Sequence, residues 1–290
     1  MRVLVIGSPI AGTGQAERRI REFVRALKRR GHDVETFMTG APGQAREKAR
    51  EVTDDIDRLV IAGGDGTVNE VLNGLPDPAR APLLHLPAGT ANQLARTLGL
   101  PSDPSKLAHI LESGPIRRID MGLAGDHRFL LVAGAGFDAW VTEEVKRHRK
   151  GSLGYSGYIS PILKAVTAYR PTKMDVVLDG HQRFPACNVV VLKVRRYGGL
   201  MIFAEDARLD SGFFHVCIFP EGSIGWLCLY AIGGLVGMAE KIPGLIRKTA
   251  HRVQIQSDGP VPVEIDGDYF GMTPVDLHLR PSVVPVVTPG

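Results

Sequence analysis

An unbroken apolar run, Leu59-Val60-Ile61-Ala62, leads straight into Gly63-Gly64-Asp65-Gly66, and a helical pattern follows from Thr67. A strand without polar alternation is buried on both faces, the habit of a parallel sheet covered by helices. A glycine turn from such a strand into a helix brings the helix's first main-chain N–H groups together on one point, where an anion can sit. Three glycines let a ligand reach the main chain without meeting a Cβ. Thr67 and Asn69 add side-chain hydrogen bonds. Asp65 reads as a carboxylate for a phosphate-bound magnesium ion or a nucleotide hydroxyl.

The neighbouring segments keep the same rhythm. Val3–Ile6, Val34–Phe37 and Pro82–Leu86 read as further strands. Ala16–Arg30 and Ala45–Val52 read as helices, and Asp103-Pro104 opens another that stops at Gly114. Ile20, Phe23, Val24 and Leu27 recur at helical spacing, which leaves Arg18, Arg19, Arg21 and Arg25 as a solvated face. After Pro82–Leu86 comes a second glycine loop, Pro87-Ala88-Gly89-Thr90-Ala91-Asn92, with a helix expected from about Thr90, which would cap it. Two such loops at neighbouring strand ends line one crevice, the usual ligand site of open α/β sheets.

From about Asp120 the pattern changes. Phe129–Val132, Asp175–Leu178, Asn188–Val194, Phe213–Phe219, Val253–Gln256, Pro262–Ile265 and Val275–Leu279 are short β-branched runs. Turn signals separate them, Asp179-Gly180 and Asp266-Gly267 above all. Helices are expected at Ala139–Lys150 and Ile224–Ala239. The fold class is therefore an N-terminal α/β domain, a parallel sheet with helices on both faces, followed by a mainly β sandwich. The domains are placed at residues 1–120 and 121–279, and residues 280–290 are a candidate last strand of the first.

Composition removes several classes. In 290 residues the formal net charge is +4 and 44% of residues are hydrophobic, so the chain is a folded one and too weakly basic to point to nucleic acid. Three cysteines without CxxC spacing fit neither a disulfide framework nor a thiolate zinc site, and suit a reducing cytosol. No GxxxxGK[ST], HExxH or GxSxG occurs. Met1–Ile6 reads as a first strand rather than a signal-peptide core. Gly222–Ala239 is uncharged but short for a membrane span and carries five glycines, so it reads as a buried or membrane-facing helix.

Gly63-Gly64-Asp65-Gly66-Thr67-Val68-Asn69-Glu70 and Leu86-Pro87-Ala88-Gly89-Thr90-Ala91-Asn92-Gln93-Leu94-Ala95-Arg96 together resemble the diacylglycerol kinase catalytic-domain family of soluble bacterial lipid kinases. Gly134-Ala135-Gly136-Phe137-Asp138, Tyr197-Gly198-Gly199 and Glu264-Ile265-Asp266-Gly267-Asp268 extend the likeness over nearly the whole chain. The resemblance implies that Thr39, Gly64–Glu70 and Thr90 contact ATP, with Gly63, Gly89 and Asn92 in the same loops. It implies that Asp266 and Asp268 supply the proton-accepting carboxylate, and that Arg208, Ser211 and Phe213 hold a structural magnesium ion. Departures from the pattern stand at Ser8, Gln93, Leu200, Glu205, Ser211 and Asp268. Ser211 lacks the carboxylate expected of the metal site, and Asp268 is one methylene shorter than the usual Glu.

The expected reaction is transfer of the γ-phosphate of ATP, with magnesium, to the hydroxyl of diacylglycerol or a related lipid. A NAD kinase shares the first loop, and a catalytically silent lipid- or nucleotide-binding protein is the third reading. The expected location is cytoplasmic, at the inner face of the membrane. Lys146–Lys150 and Gly222–Ala239, with Trp226 and Tyr230, are the expected contacts with the bilayer. Arg195-Arg196 face either phosphates or solvent, and a homodimer is compatible with the sequence.

Overall fold

The computed structural model describes residues 1–12, 14–76, 81–148 and 168–290. The chain divides into two compact units, Met1–Met121 with Ser282–Gly290, and Gly122–Pro281.

In the first unit, β1 (Arg2–Gly7), β2 (Asp33–Met38), β3 (Arg58–Gly63) and β4 (Leu83–Pro87) pair in parallel in the order β2-β1-β3-β4. The end of the strand Val275–Val287 joins beside β4, where Val286 pairs with Leu83. The order reverses between β1 and β3, the switch point at which strand C-termini open a crevice. Helix α1 (Ala16–Arg29) lays Ile20, Phe23 and Leu27 onto Val3, Val5, Val60 and Leu84, while Arg21 pairs with Glu17 in solvent. Helix α5 (Pro104–Ser113) starts as read: Asp103 accepts from the N–H groups of Ser105 and Lys106 at 2.8 and 2.9 Å, with proline in the first turn.

The second unit is a sandwich. One antiparallel sheet runs in the order Ile246–Ala250, Phe214–Phe219, Asn188–Leu192, Val132–Ala135, Pro262–Ile265, Asp268–Met272. The facing sheet joins the start of Val275–Val287 to Arg252–Ser257, Met174–Leu178 and Gln182–Ala186. Phe129, Val176, Val189, Val191, Phe214, Val253, Val263 and Leu277 fill the space between. Pro185 sits in the outermost strand, where a missing N–H costs no ladder bond.

Three expectations change. Phe129–Val132 is not one strand: the chain breaks between His127–Phe129 and Val132–Ala135, because the N–H groups of Leu130 and Leu131 turn to a side chain. The second loop's helix, α4, spans Gln93–Thr97 and not a run from Thr90. The helix expected to reach Ala239 ends at Leu235, because Gly237 turns left-handed (φ 69°) and the Met238 N–H closes onto the Gly233 carbonyl.

Candidate active site

The two glycine loops of the first unit touch. A Cβ on Gly89 would lie 2.4 Å from the Gly64 Cα, and one on Gly12, in the loop after β1, would lie 2.5 Å from the Ala88 carbonyl oxygen. Both positions are glycine because another backbone occupies the side-chain volume. Gly64 is extended and stands just before helix α3 (Asp65–Gly74), so the free N–H groups of that helix open at this contact.

Asp65 holds the contact together. Its carboxylate accepts from the N–H groups of Gln93 and Leu94, at 2.9 and 3.1 Å, and so caps α4 from outside that helix. Asn92, left-handed at φ 47°, closes the loop: Oδ1 accepts from the Gly89 N–H and Nδ2 donates to the Gly89 carbonyl, both at 2.8 Å. Thr90 is exposed and caps nothing. The capping expected of Thr90 falls to Asp65, since a short helix needs a charged or well-placed acceptor to satisfy its first amides.

The remaining residues of the motif take separate posts. The carboxylate of Glu70 accepts from the Gly43 N–H at 3.0 Å, at the start of helix α2 (Gln44–Arg50). Val68 packs inward, and Asn69 accepts from the Asn73 amide. Gly66 is exposed and Thr67 half-buried. Gly63 ends β3, and its carbonyl meets Nε2 of the buried His85 at 3.0 Å. Burial holds His85 below the ordinary imidazole value. Thr39 is buried at the end of β2, its N–H on the Gly7 carbonyl at 2.8 Å.

In the second unit, Asp266 (φ 50°) and Gly267 (φ 85°) form a two-residue hairpin turn with both central residues left-handed. The Asp266 carboxylate accepts from three main-chain N–H groups, Leu130 at 3.1 Å, Leu131 at 2.9 Å and Val132 at 3.0 Å. An acceptor so occupied anchors the turn. Asp268 opens the outgoing strand with its side chain exposed.

Behind the turn lies a group the sequence reading did not single out. Glu264 is buried, and its Oε2 accepts from the Gly267 N–H at 2.8 Å. Its Oε1 has no partner among the described residues. Burial first, then the charge of Asp138, drive Glu264 well above the usual carboxylate range. Burial raises Asp138 as well, and the buried Tyr197 hydroxyl donates to it. A Glu two residues before an Asp-Gly turn, on an inward strand position, was the available signal.

The remaining residues named from the sequence have these surroundings. Arg195 pairs with Glu205 on the surface. Tyr230 is buried against Phe219, ring centroids 4.7 Å apart, while Trp226 beside it is half-buried. Of Lys146–Lys150, only the side chain of Arg147 is among the described residues, and it pairs with Glu143 and Glu144. Among the described residues no group of three His, Cys, Asp or Glu side chains forms a metal cage.

Residues 2–124 match the model of the diacylglycerol kinase catalytic domain, and residues 131–288 that of the YegS C-terminal NAD kinase beta sandwich-like domain. A diacylglycerol kinase of Bacillus subtilis (strain 168) is 29% identical over 290 residues, covering 98% of this chain and 96% of the relative. One of Staphylococcus carnosus (strain TM300) is 27% identical over 99% of this chain and 95% of its own. The crystal structure of a diacylglycerol kinase from Bacillus anthracis str. Sterne superposes with a TM-score of 0.80 at 25% identity, over 99% of this chain and 96% of that one.

Proposed function

The chain belongs to the diacylglycerol kinase catalytic-domain family of lipid kinases, and we propose that it transfers the γ-phosphate of ATP to the hydroxyl of diacylglycerol or a close relative. The observation that carries the nucleotide part is the contact of Gly64 with Gly89, two residues that put no side chain of their own beside the free amides of α3. Those amides suit the phosphates, and Asp65 fixes the loops before a ligand arrives. Donors aimed in advance at developing charge are the main protein contribution to phosphoryl transfer. The first turn of α3, open to solvent at Gly66, would hold the phosphates, and magnesium bound with them would supply neutralisation of their charge.

A lipid hydroxyl is a weak nucleophile and needs a proton acceptor within hydrogen-bond reach. Asp268 takes that role, because Asp266 is committed to three amides and burial holds Glu264 well above the usual carboxylate range. Glu264 holds the Gly267 N–H and so positions the turn that presents Asp268.

The acceptor is brought by a membrane surface at the inner face of the bilayer. The helix Ile224–Leu235 and the turn after it expose Leu229, Ile232, Leu235, Val236 and Met238. A patch of this kind serves an interface better than water. No described helix is long and apolar enough to cross a membrane, so the contact is peripheral in this reading. The test is a kinase assay with labelled ATP, a total lipid extract and NAD, with products identified by mass spectrometry. A phosphorylated glycerolipid is the expected product; phosphorylated NAD alone, or no product, would sink the proposal. Ile232→Asp should weaken cosedimentation with vesicles while leaving nucleotide binding unchanged.

A further inference from the structure

The structural magnesium implied for Arg208, Ser211 and Phe213 meets a side chain already in its place. Lys193 extends from the end of the strand Asn188–Leu192 and is wholly buried. Its ammonium donates to Ser211 Oγ at 3.0 Å and to the Phe213 carbonyl at 2.9 Å. Ser211 Oγ also lies 3.1 Å from the Arg208 carbonyl and 2.9 Å from that of Phe213. Arg208 gives only its main chain, since its side chain is 72% exposed and pairs with Asp210 at 3.3 Å.

These residues do not fit a divalent ion. Magnesium asks for close octahedral oxygen ligands, commonly one or two carboxylates among them. Here Ser211 offers a neutral hydroxyl, and an ammonium takes the lone pairs a metal would need. A cation brought to the same oxygens would also meet the positive charge of Lys193 at contact distance.

We propose that the Lys193 ammonium is the resident cation of the 208–213 turn, replacing a bound metal ion and pinning that turn to the strand Asn188–Leu192. The turn runs directly into the strand Phe214–Phe219, whose His215 pairs with Leu192 in the sheet. Fixing it therefore fixes the register of two central strands. The second unit then folds without divalent metal, and any magnesium requirement is confined to the nucleotide.

The experiment is thermal melting of the full chain without nucleotide, in EDTA and in millimolar magnesium. The expected result is one melting temperature in both. Lys193→Met should lower it by roughly 2–10 °C, the scale for leaving two buried acceptors without their donor in a chain of this size. Adding Ser211→Asp to Lys193→Met should restore stability only when magnesium is present. A magnesium-dependent rise in the wild-type melt that Ser211→Ala abolishes would overturn the proposal, as would a Lys193→Met protein that melts like wild type. Should Lys193→Met fail to fold, the wild-type and Ser211→Ala melts decide alone.

Discussion

Asp65 lies in the family's best-known motif, and replacing it would ordinarily be read as removing a ligand contact. Its hydrogen bonds give it a second post, as the cap of α4. Two amides of α4, those of Gln93 and Leu94, end on its carboxylate at 2.9 and 3.1 Å. A five-residue helix has no stability of its own, so these bonds decide whether the second loop is ordered. A hydrogen bond to a charged group contributes about 1.5–3 kcal/mol. Asp65 is half-exposed and the two bonds are not independent, so Asp65→Ala should cost about 2–4 kcal/mol in all. Asp65→Asn keeps one acceptor oxygen but sets an NH2 against a main-chain N–H, and should recover less than half of that loss.

The assay pairs urea unfolding with hydrogen exchange, because two units need not unfold as one. In Asp65→Ala the amides of Gln93 and Leu94 should exchange much faster, with protection in the second unit unchanged. Nucleotide affinity should fall with the loss of loop order. If Asp65→Ala unfolded at the wild-type urea concentration, kept both amides protected and still lost turnover, the capping argument would be refuted and Asp65 would be a ligand contact.

Gly89→Ala places a methyl 2.4 Å from the Gly64 Cα and should cost about 1–3 kcal/mol and weaken nucleotide binding, whereas Gly259→Ala, with nothing within 4 Å, should do neither; melting and nucleotide titration compare them. Burial and the charge of Asp138 raise Glu264 well above 4.5, so the folded protein keeps a proton that the unfolded chain releases above that pH. Stability from this group is complete below 4.5 and is lost as pH rises through the folded value; Glu264→Gln should flatten the alkaline side of the urea-stability profile. Asp268→Ala should lower kcat by about 10²–10⁴-fold, with stability within about 0.5 kcal/mol of wild type, and Asp268→Glu should retain turnover.

Features fixed by one residue's own backbone were legible in the sequence. Asp103-Pro104 capped its helix, and Asp179-Gly180 and Asp266-Gly267 made their turns with both residues at positive φ. The first glycine loop was legible for the same reason. What escaped were partners chosen across the chain: Asp65 for amides 28 and 29 residues away, Asp266 for amides 134 to 136 away, Lys193 for a turn 18 to 20 away. The break after Phe129 is the same failure, since apolar Leu130 and Leu131 carry no sign that their N–H groups leave the ladder. Gly237 did carry the helix stop, but an apolar run continuing to Ala239 hid it.

Three of the four carboxylates read as functional, Asp65, Glu70 and Asp266, also hold main-chain amides, which follows from what a preorganised loop demands. Main-chain amides can face a phosphate only if the rest of the loop is held without help from the ligand. Holding it requires acceptors for the remaining N–H groups, and an ionised carboxylate is the strongest the side chains provide. An acid beside a glycine turn is therefore as much expected from the scaffold as from the chemistry. Asp65 and Asp266 are half-buried, each on two or three amides. Asp268 differs in kind: pairing with Ile265 fixes its backbone, while its side chain remains in solvent. A proton acceptor is served best by that combination, a held backbone and a carboxylate with no amide on it, which is the ground for giving the role to Asp268.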